Sequence, residues 1–170
     1  MRTTEIQFKA EAILRELGIY KASEINLEKI TEHLHINLQE SDLKEDVSGL
    51  FILKNGIANI LYNKSQSHHR QRFTIAHEIG HFILHKLPLS MNKKDFKLYR
   101  NLESSTGEVK KEREANAFAA NLLMPEQFIS NEINNAPDNT KNAIEYLANV
   151  FKVSEQAMTF RLANLGYSVM

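Results

Sequence analysis

Apolar residues recur every three to four positions in two segments near the start of the chain. In residues 4–17 this spacing places them on one face of a predicted helix, and Gly18 is positioned to end it. A second, shorter helix is predicted over residues 27–35, with Asn26 as its N-cap and Ile30 facing inward. Because each segment is apolar on one face, we expect both helices to pack against the rest of the protein.

Three short extended segments follow these two helices. Residues 36–39, 49–53 and 57–62 each have the length and the side-chain types of a β-strand. The dipeptide Asn55-Gly56 separates the last two segments and is the strongest short signal for a two-residue hairpin. The sequence therefore predicts a small, three-stranded antiparallel sheet.

Helical spacing returns in the second half of the chain. Residues 89–111 have few apolar anchors and many Lys, Asn, Ser and Glu residues, which predicts a mobile surface segment. Helices, then a small sheet, then helices indicate a mainly helical α+β fold, with the sheet beside the helix at residues 69–86. The predicted helices of this half cover residues 69–86, 108–123, 126–134, 140–151 and 154–165.

The length and charge of the chain limit the kinds of protein that it can be. With 170 residues the chain can bury roughly 70% of its unfolded surface, which supports one domain over residues 1–170, with 126–170 as a C-terminal helical subregion. Its 21 basic and 21 acidic residues cancel, so no overall charge attracts nucleic acid or an anionic membrane. Residues 1–12 lack the apolar core of a signal peptide, and no run approaches the ~20 apolar residues of a membrane span. We therefore expect a soluble, cytoplasmic protein.

Three polar residues interrupt the apolar run of the helix predicted at residues 69–86. In the motif His77-Glu78-Ile79-Gly80-His81 the two histidines lie roughly 40° apart on a helix and can bind one metal ion. Glu78 points beside them, as the general base does in the zinc-protease motif H-E-x-x-H. The alternative is that all three are ordinary core residues satisfied by hydrogen bonds. That alternative needs separate interactions to offset the cost of burying each of the three polar groups, whereas one zinc site offsets the cost for all of them.

A third metal ligand is expected downstream, because catalytic zinc usually has three protein ligands and an open position. The chain has no cysteine, which leaves histidine and carboxylate side chains as ligands. Glu112 and Glu114 are the candidates in the next helix. With Glu112 at 0°, Asn116 and two alanines lie within about 60° of it, whereas Glu114 lies near 200°. This geometry favours Glu112, with alanines that permit a close helix approach and Asn116 positioned to hydrogen-bond a ligand.

His85 continues the four-residue spacing from His81. Residues 82–84 contain no glycine, so the helix is expected to continue and to carry His85 a further turn from the metal. We interpret His85 as a hydrogen-bond partner of a ligand or as a surface residue. No donor for the oxyanion of a hydrolytic reaction is assigned, although four residues have suitable side chains: Tyr62, His85, Tyr99 and Arg113.

Three stretches beyond the motif carry a family resemblance. They are RFTIAHEIGHFILH at residues 72–85, EREANAFAANLLMP at residues 112–125, and FKVS at residues 151–154 followed by Arg161-Leu162. This pattern resembles the ImmA/IrrE family of zinc metallopeptidases. The resemblance implies a gluzincin-like domain in which Zn²⁺ is bound by His77, His81 and Glu112, with Glu78 as the general base.

The resemblance also implies a function. Members of this family commonly cleave a helix-turn-helix repressor of the XRE-like class, which derepresses mobile-element, phage or stress genes. The expected activity is therefore that of a zinc-dependent endopeptidase with a protein substrate. Residues 57–62, as a sheet edge beside the motif helix, are our candidate for pairing with an extended substrate.

Two other functions fit parts of the sequence. One is a catalytically silent zinc fold that binds a regulator or acts as an antitoxin partner. The other is a DNA-binding module, because residues 147–166 resemble the turn and second helix of a helix-turn-helix. That second helix has few basic residues beyond Arg161, and Phe160 and Leu162 suggest packing. We therefore favour a scaffold role for it and expect no direct nucleic-acid binding.

Overall fold

A computed structural model describes residues 1–85, 96–97 and 106–168. The elements within these ranges confirm the predicted α+β fold. The helices are α1 (Thr3–Glu16), α2 (Leu27–His33), α3 (His68–His85), α4 (Thr106–Leu123), α5 (Glu126–Glu132), α6 (Thr140–Phe151) and α7 (Glu155–Asn164). The strands are β1 (Ile36–Ser41), β2 (Gly49–Lys54), β3 (Ile57–Asn63) and β4 (Phe96–Lys97).

Local signals in the sequence account for several element boundaries. Gly18 follows α1 with a φ of 65°, and the N–H of Ile19 donates to the carbonyl of Leu14 at 2.8 Å, which closes the helix in a Schellman motif. Asn26 accepts a hydrogen bond from the N–H of Lys29 at 2.9 Å and so caps α2. These ends agree with the predicted ones because they depend only on neighbouring residues.

The sheet has the strand order β1-β3-β2-β4. Strands β2 and β3 form the predicted hairpin, and both turn residues, Asn55 and Gly56, have the positive φ that a two-residue turn requires. The prediction of an all-antiparallel sheet is wrong, because β1 pairs parallel with β3, with Ile36 opposite Ala58. The returning arm of the hairpin lies between β1 and β2, so β1 meets a strand that runs in its own direction.

This strand order also contradicts the prediction that residues 57–62 form a sheet edge that pairs with an extended substrate. β3, which contains residues 57–62, is hydrogen-bonded to β1 on one side and to β2 on the other. Its backbone groups are used within the sheet, so it has no edge to offer a peptide. Within the described residues the edges of the sheet are β1 and β4.

Helix α3 packs against both the sheet and α4, and α1 packs on α4. Every residue of α3 from Thr74 to His81 is buried. On the α4 side, a Cβ at Gly80 would lie 3.1 Å from the carbonyl oxygen of Ala115, so the two helices meet almost backbone to backbone. On the sheet side, the rings of Phe51 and Phe82 stack with centroids 5.8 Å apart. The predicted small-residue contact between the two helices is therefore present.

The predicted mobile segment at residues 89–111 lies largely outside the described residues. The prediction is wrong for residues 106–111, because α4 begins at Thr106 and these residues are helical. Within the described part of the chain, no helix combines the length and the apolarity needed to cross a bilayer.

Candidate metal centre

The polar residues of the H-E-x-x-H motif lie in the most deeply packed part of α3. His77, Glu78 and His81 are only 1%, 5% and 6% exposed. The carboxylate of Glu78 lies near the start of β2, since one of its oxygens would be 3.7 Å from a Cβ placed on Gly49. A carboxylate and two imidazoles in such a position need strong compensating interactions.

Glu112 reaches the two histidines from α4. Its Oε2 lies 3.3 Å from Nε2 of His77 and its Oε1 lies 3.0 Å from Nε2 of His81. The two Nε2 atoms are themselves 3.0 Å apart. Ligands about 2.1 Å from a tetrahedral zinc ion would lie about 3.4 Å from one another, so the spacing of these donors suits one such ion.

The opposite ring nitrogen of His77 contacts Asn116, one turn after Glu112. Nδ1 of His77 lies 2.8 Å from Oδ1 of Asn116. An amide oxygen only accepts hydrogen bonds, so Nδ1 carries the proton and donates it. In the neutral ring the lone pair is then on Nε2, the atom that faces Glu112. Asn116 therefore holds His77 in the tautomer that a metal ion requires.

A longer chain of hydrogen bonds does the same for His81. Nδ1 of His81 lies 3.1 Å from Nδ1 of His85, and Nε2 of His85 lies 3.1 Å from Oε2 of Glu114. Burial lowers the pKa of His85, which favours its neutral ring. Because the carboxylate of Glu114 accepts a hydrogen bond from the N–H at Nε2, Nδ1 of His85 accepts a hydrogen bond from His81. This leaves Nε2 of His81 directed at Glu112.

Glu112 is ionised in this arrangement. When the two rings are protonated on both nitrogens, hydrogen bonding from Nε2 of His77, and then of His81, lowers the pKa of the Glu112 carboxyl strongly. Two ring nitrogens and a carboxylate thus meet at one point where positive charge is favoured, whether as protons or as a metal ion. The side chain of Glu112 is 38% exposed, so the centre is accessible from its side. His77, His81 and Glu112 form a group that could hold a metal, with ligand atoms within 4.8 Å of one another.

Four other residues were considered from the sequence as a metal ligand or as oxyanion donors. Glu114 contacts Nε2 of His85, on the side of that ring away from His81, and it also pairs with the amino group of Met1. Tyr62 lines a different cavity, beside α2 and β1. Tyr99 lies outside the described residues. Arg113 is exposed on α4.

A cleft of about 710 Å³ opens onto the metal centre. Its walls include His77, Glu112 and Asn116 on one side and residues of α7, among them Phe160, on another. Helix α7 was not among the elements predicted to border the site. No local signal could have placed it there, because α7 is more than 70 residues from the motif and only the packing of α7 on α4 brings the two together.

The family model Peptidase_M78, described as the IrrE N-terminal-like domain, matches residues 31–163. The chain belongs to this family of metallopeptidases. Among solved structures, a Mycobacterium tuberculosis transcriptional regulator has the fold of this M78 chain, with a TM-score of 0.68 and 18% identity. The match covers 94% of this chain but 46% of that one, so this chain spans about half the length of its structural relative. No curated protein matches it.

Proposed function

We propose that this protein is a zinc-dependent endopeptidase. The observation that carries the proposal is the convergence of His77, His81 and Glu112 beside the buried Glu78, with both rings held so that Nε2 faces the carboxylate. The donor set is two imidazoles and one carboxylate, which is a common set for catalytic zinc. Membership of a metallopeptidase family supports the same assignment.

Each residue has a distinct task in this proposal. His77, His81 and Glu112 hold Zn²⁺, which when bound polarises a peptide carbonyl and lowers the pKa of water toward ~7. Glu78 accepts the proton of the attacking water and passes it to the amine of the departing peptide. Asn116 and His85 hydrogen-bond to the outer nitrogens of the two histidines and fix their orientation.

For the substrate, we propose an XRE-like helix-turn-helix repressor, whose cleavage would derepress mobile-element, phage or stress genes. This step is supported by the resemblance to ImmA/IrrE peptidases. A direct role on DNA is disfavoured by α7, in which Arg161 is the only basic residue. Arg161 is buried and donates to the carbonyl of Met124 and to Oδ1 of Asn121, at 3.0 and 2.9 Å. Its guanidinium is thus used inside the protein.

The test is zinc content per chain together with cleavage of a co-expressed candidate repressor. We expect the wild type to bind one zinc ion and to cleave, Glu78→Gln to keep zinc without cleaving, and Glu112→Gln to lose zinc. Glu108→Gln, an exposed carboxylate on the same helix, is the matched control and should behave as the wild type. Absence of zinc from the wild type would refute the proposal. Zinc without cleavage of any repressor would favour the silent zinc fold that acts as a regulator or antitoxin partner.

A further inference from the structure

We infer that α7 forms the specificity wall of the substrate cleft, and that Phe160 binds a large apolar side chain of the protein substrate. The inference rests on the proposed peptidase function and adds to it a subsite and a substrate preference. The cleft is continuous, because its lining includes both metal-binding residues and the exposed face of α7. A chain segment that occupies this cleft contacts both.

The position of α7 is fixed relative to the metal centre. The Nε of Arg161 donates to the carbonyl of Met124 at 3.0 Å, and its second hydrogen bond, 2.9 Å long, reaches Oδ1 of Asn121 at the end of α4. Glu112 and Asn116 belong to the same α4 helix. The inner face of α7 is also buried, with Met158 0% exposed. The cleft wall is therefore already in place before a ligand binds, which lowers the entropy cost of binding.

Phe160 is the large apolar side chain that this wall presents. It is 63% exposed, whereas the two residues that follow it in the helix are buried. Ala157 and Asn164, three residues before it and four after, lie on the same face and line the same cleft. Phe73 and Val153 add apolar surface to the lining. An apolar substrate side chain placed here would remove the exposed ring from water, and this burial would favour binding.

The chemistry of the lining favours a polypeptide over a nucleic acid. Arg70 and His69 are the exposed basic residues among those that line the cleft, while Arg161 is buried. Two exposed basic residues are too few to follow a phosphate backbone. Exposed amide side chains such as those of Gln156 and Asn164 can instead hydrogen-bond to peptide groups.

The first experiment measures cleavage specificity of the zinc-loaded protein. The probes are short quenched-fluorescent peptides in which Leu or Ser occupies one position at a time. At the position where the wild type prefers Leu most, we expect Phe160→Ala to lower the Leu-to-Ser ratio of kcat/KM about tenfold. Phe160→Leu should restore the ratio. Phe8→Ala is the matched control, because Phe8 is 64% exposed but lies on α1. An unchanged ratio in Phe160→Ala would overturn the inference while leaving the peptidase function intact.

A second experiment decides the inference without catalysis. Zinc-loaded Glu78→Gln protein, labelled with ¹⁵N, is titrated with the Leu peptide and with its Ser counterpart. We expect amide signals of residues 154–164 to shift with the Leu peptide and this response to weaken when Phe160→Ala is added. If those signals stay in place, or respond to a random-sequence DNA duplex rather than to the peptide, α7 is not a peptide-binding wall. If the wild type cleaves neither these peptides nor a candidate repressor yet these shifts occur, the proposed activity fails and the binding cleft stands.

Discussion

Gly80 of α3 packs directly against the backbone of Ala115 of α4, and a side chain at Gly80 would press on that backbone. A Cβ on Gly80 would lie 3.1 Å from the carbonyl oxygen and 3.2 Å from the Cα of Ala115. Since these are backbone atoms, neither can move without shifting α4. The contact lies between His77 and His81 on one helix and close to Glu112 on the other. It therefore sets the distance across which the three side chains meet.

Gly80→Ala should destabilise the protein and weaken zinc binding. Helix propensity alone would make this substitution stabilising by about 1 kcal/mol. The clash with the backbone of Ala115 opposes that gain, and overpacking of this kind typically costs ~1–3 kcal/mol. Urea unfolding of the metal-free protein and a zinc titration measure the two effects. A variant more stable than the wild type would show that α4 can move aside at no cost.

Asn116→Leu should lower zinc affinity by about 10–100-fold, the usual effect of removing the partner of a ligand histidine. Leucine has a similar shape but cannot accept a hydrogen bond from Nδ1 of His77, so the ring can adopt the other tautomer. Asn116→Asp keeps an acceptor and should retain most of the affinity. Competition with a chelator of known affinity measures the constants. Equal affinities in the two variants would mean that the hydrogen bond does not orient His77.

Glu114→Ala should weaken zinc binding roughly tenfold, although Glu114 does not face the metal centre. Its carboxylate fixes the proton of His85 on Nε2 and so makes His85 an acceptor for His81. Glu114→Gln keeps an acceptor oxygen and should recover part of the affinity, and Glu108→Ala is the control on the same helix. Because Glu114 also pairs with Met1, unfolding of the metal-free proteins is measured alongside. A loss of stability without any change in zinc affinity would assign Glu114 a purely structural role.

Zinc should raise the melting temperature of the wild type and have little effect on Glu112→Gln. A ligand that binds only the folded state adds about 2.7 kcal/mol of stability at a free concentration 100 times its Kd. Differential scanning fluorimetry with and without a chelator measures the shift. An equal shift in both proteins would place zinc somewhere other than between His77, His81 and Glu112.

Much of the helical framework could be predicted from short-range patterns. Gly18, Asn26 and the pair Asn55-Gly56 act on their immediate neighbours, and the structure places turns and caps at these residues. Helix α6 has the predicted bounds, and α3 begins one residue before its predicted start. The side of α4 that faces α3 could also be derived, because helical periodicity separates Glu112 from Glu114.

The order of the strands could not be derived in this way. A two-residue turn pairs β2 with β3 wherever the hairpin lies. No sequence feature of residues 36–39, however, indicates which strand β1 will pair with. The insertion of β3 between β1 and β2 made β1 parallel to its neighbour and removed the predicted edge at residues 57–62. Strand order is decided by how the sheet packs on α3, which involves residues far apart in the chain.

The chemical groups of the candidate centre could be derived from the sequence: two histidines one turn apart, a glutamate beside them and a second glutamate on the packed face of a later helix. Those follow from helical periodicity and the cost of burying polar groups. Tertiary structure alone decided that Glu114 supports His85, that Gly80 meets Ala115, and that α7 borders the cleft. These relationships depend on where separate helices cross, and a crossing point is set by the packing of whole faces rather than by any local pattern.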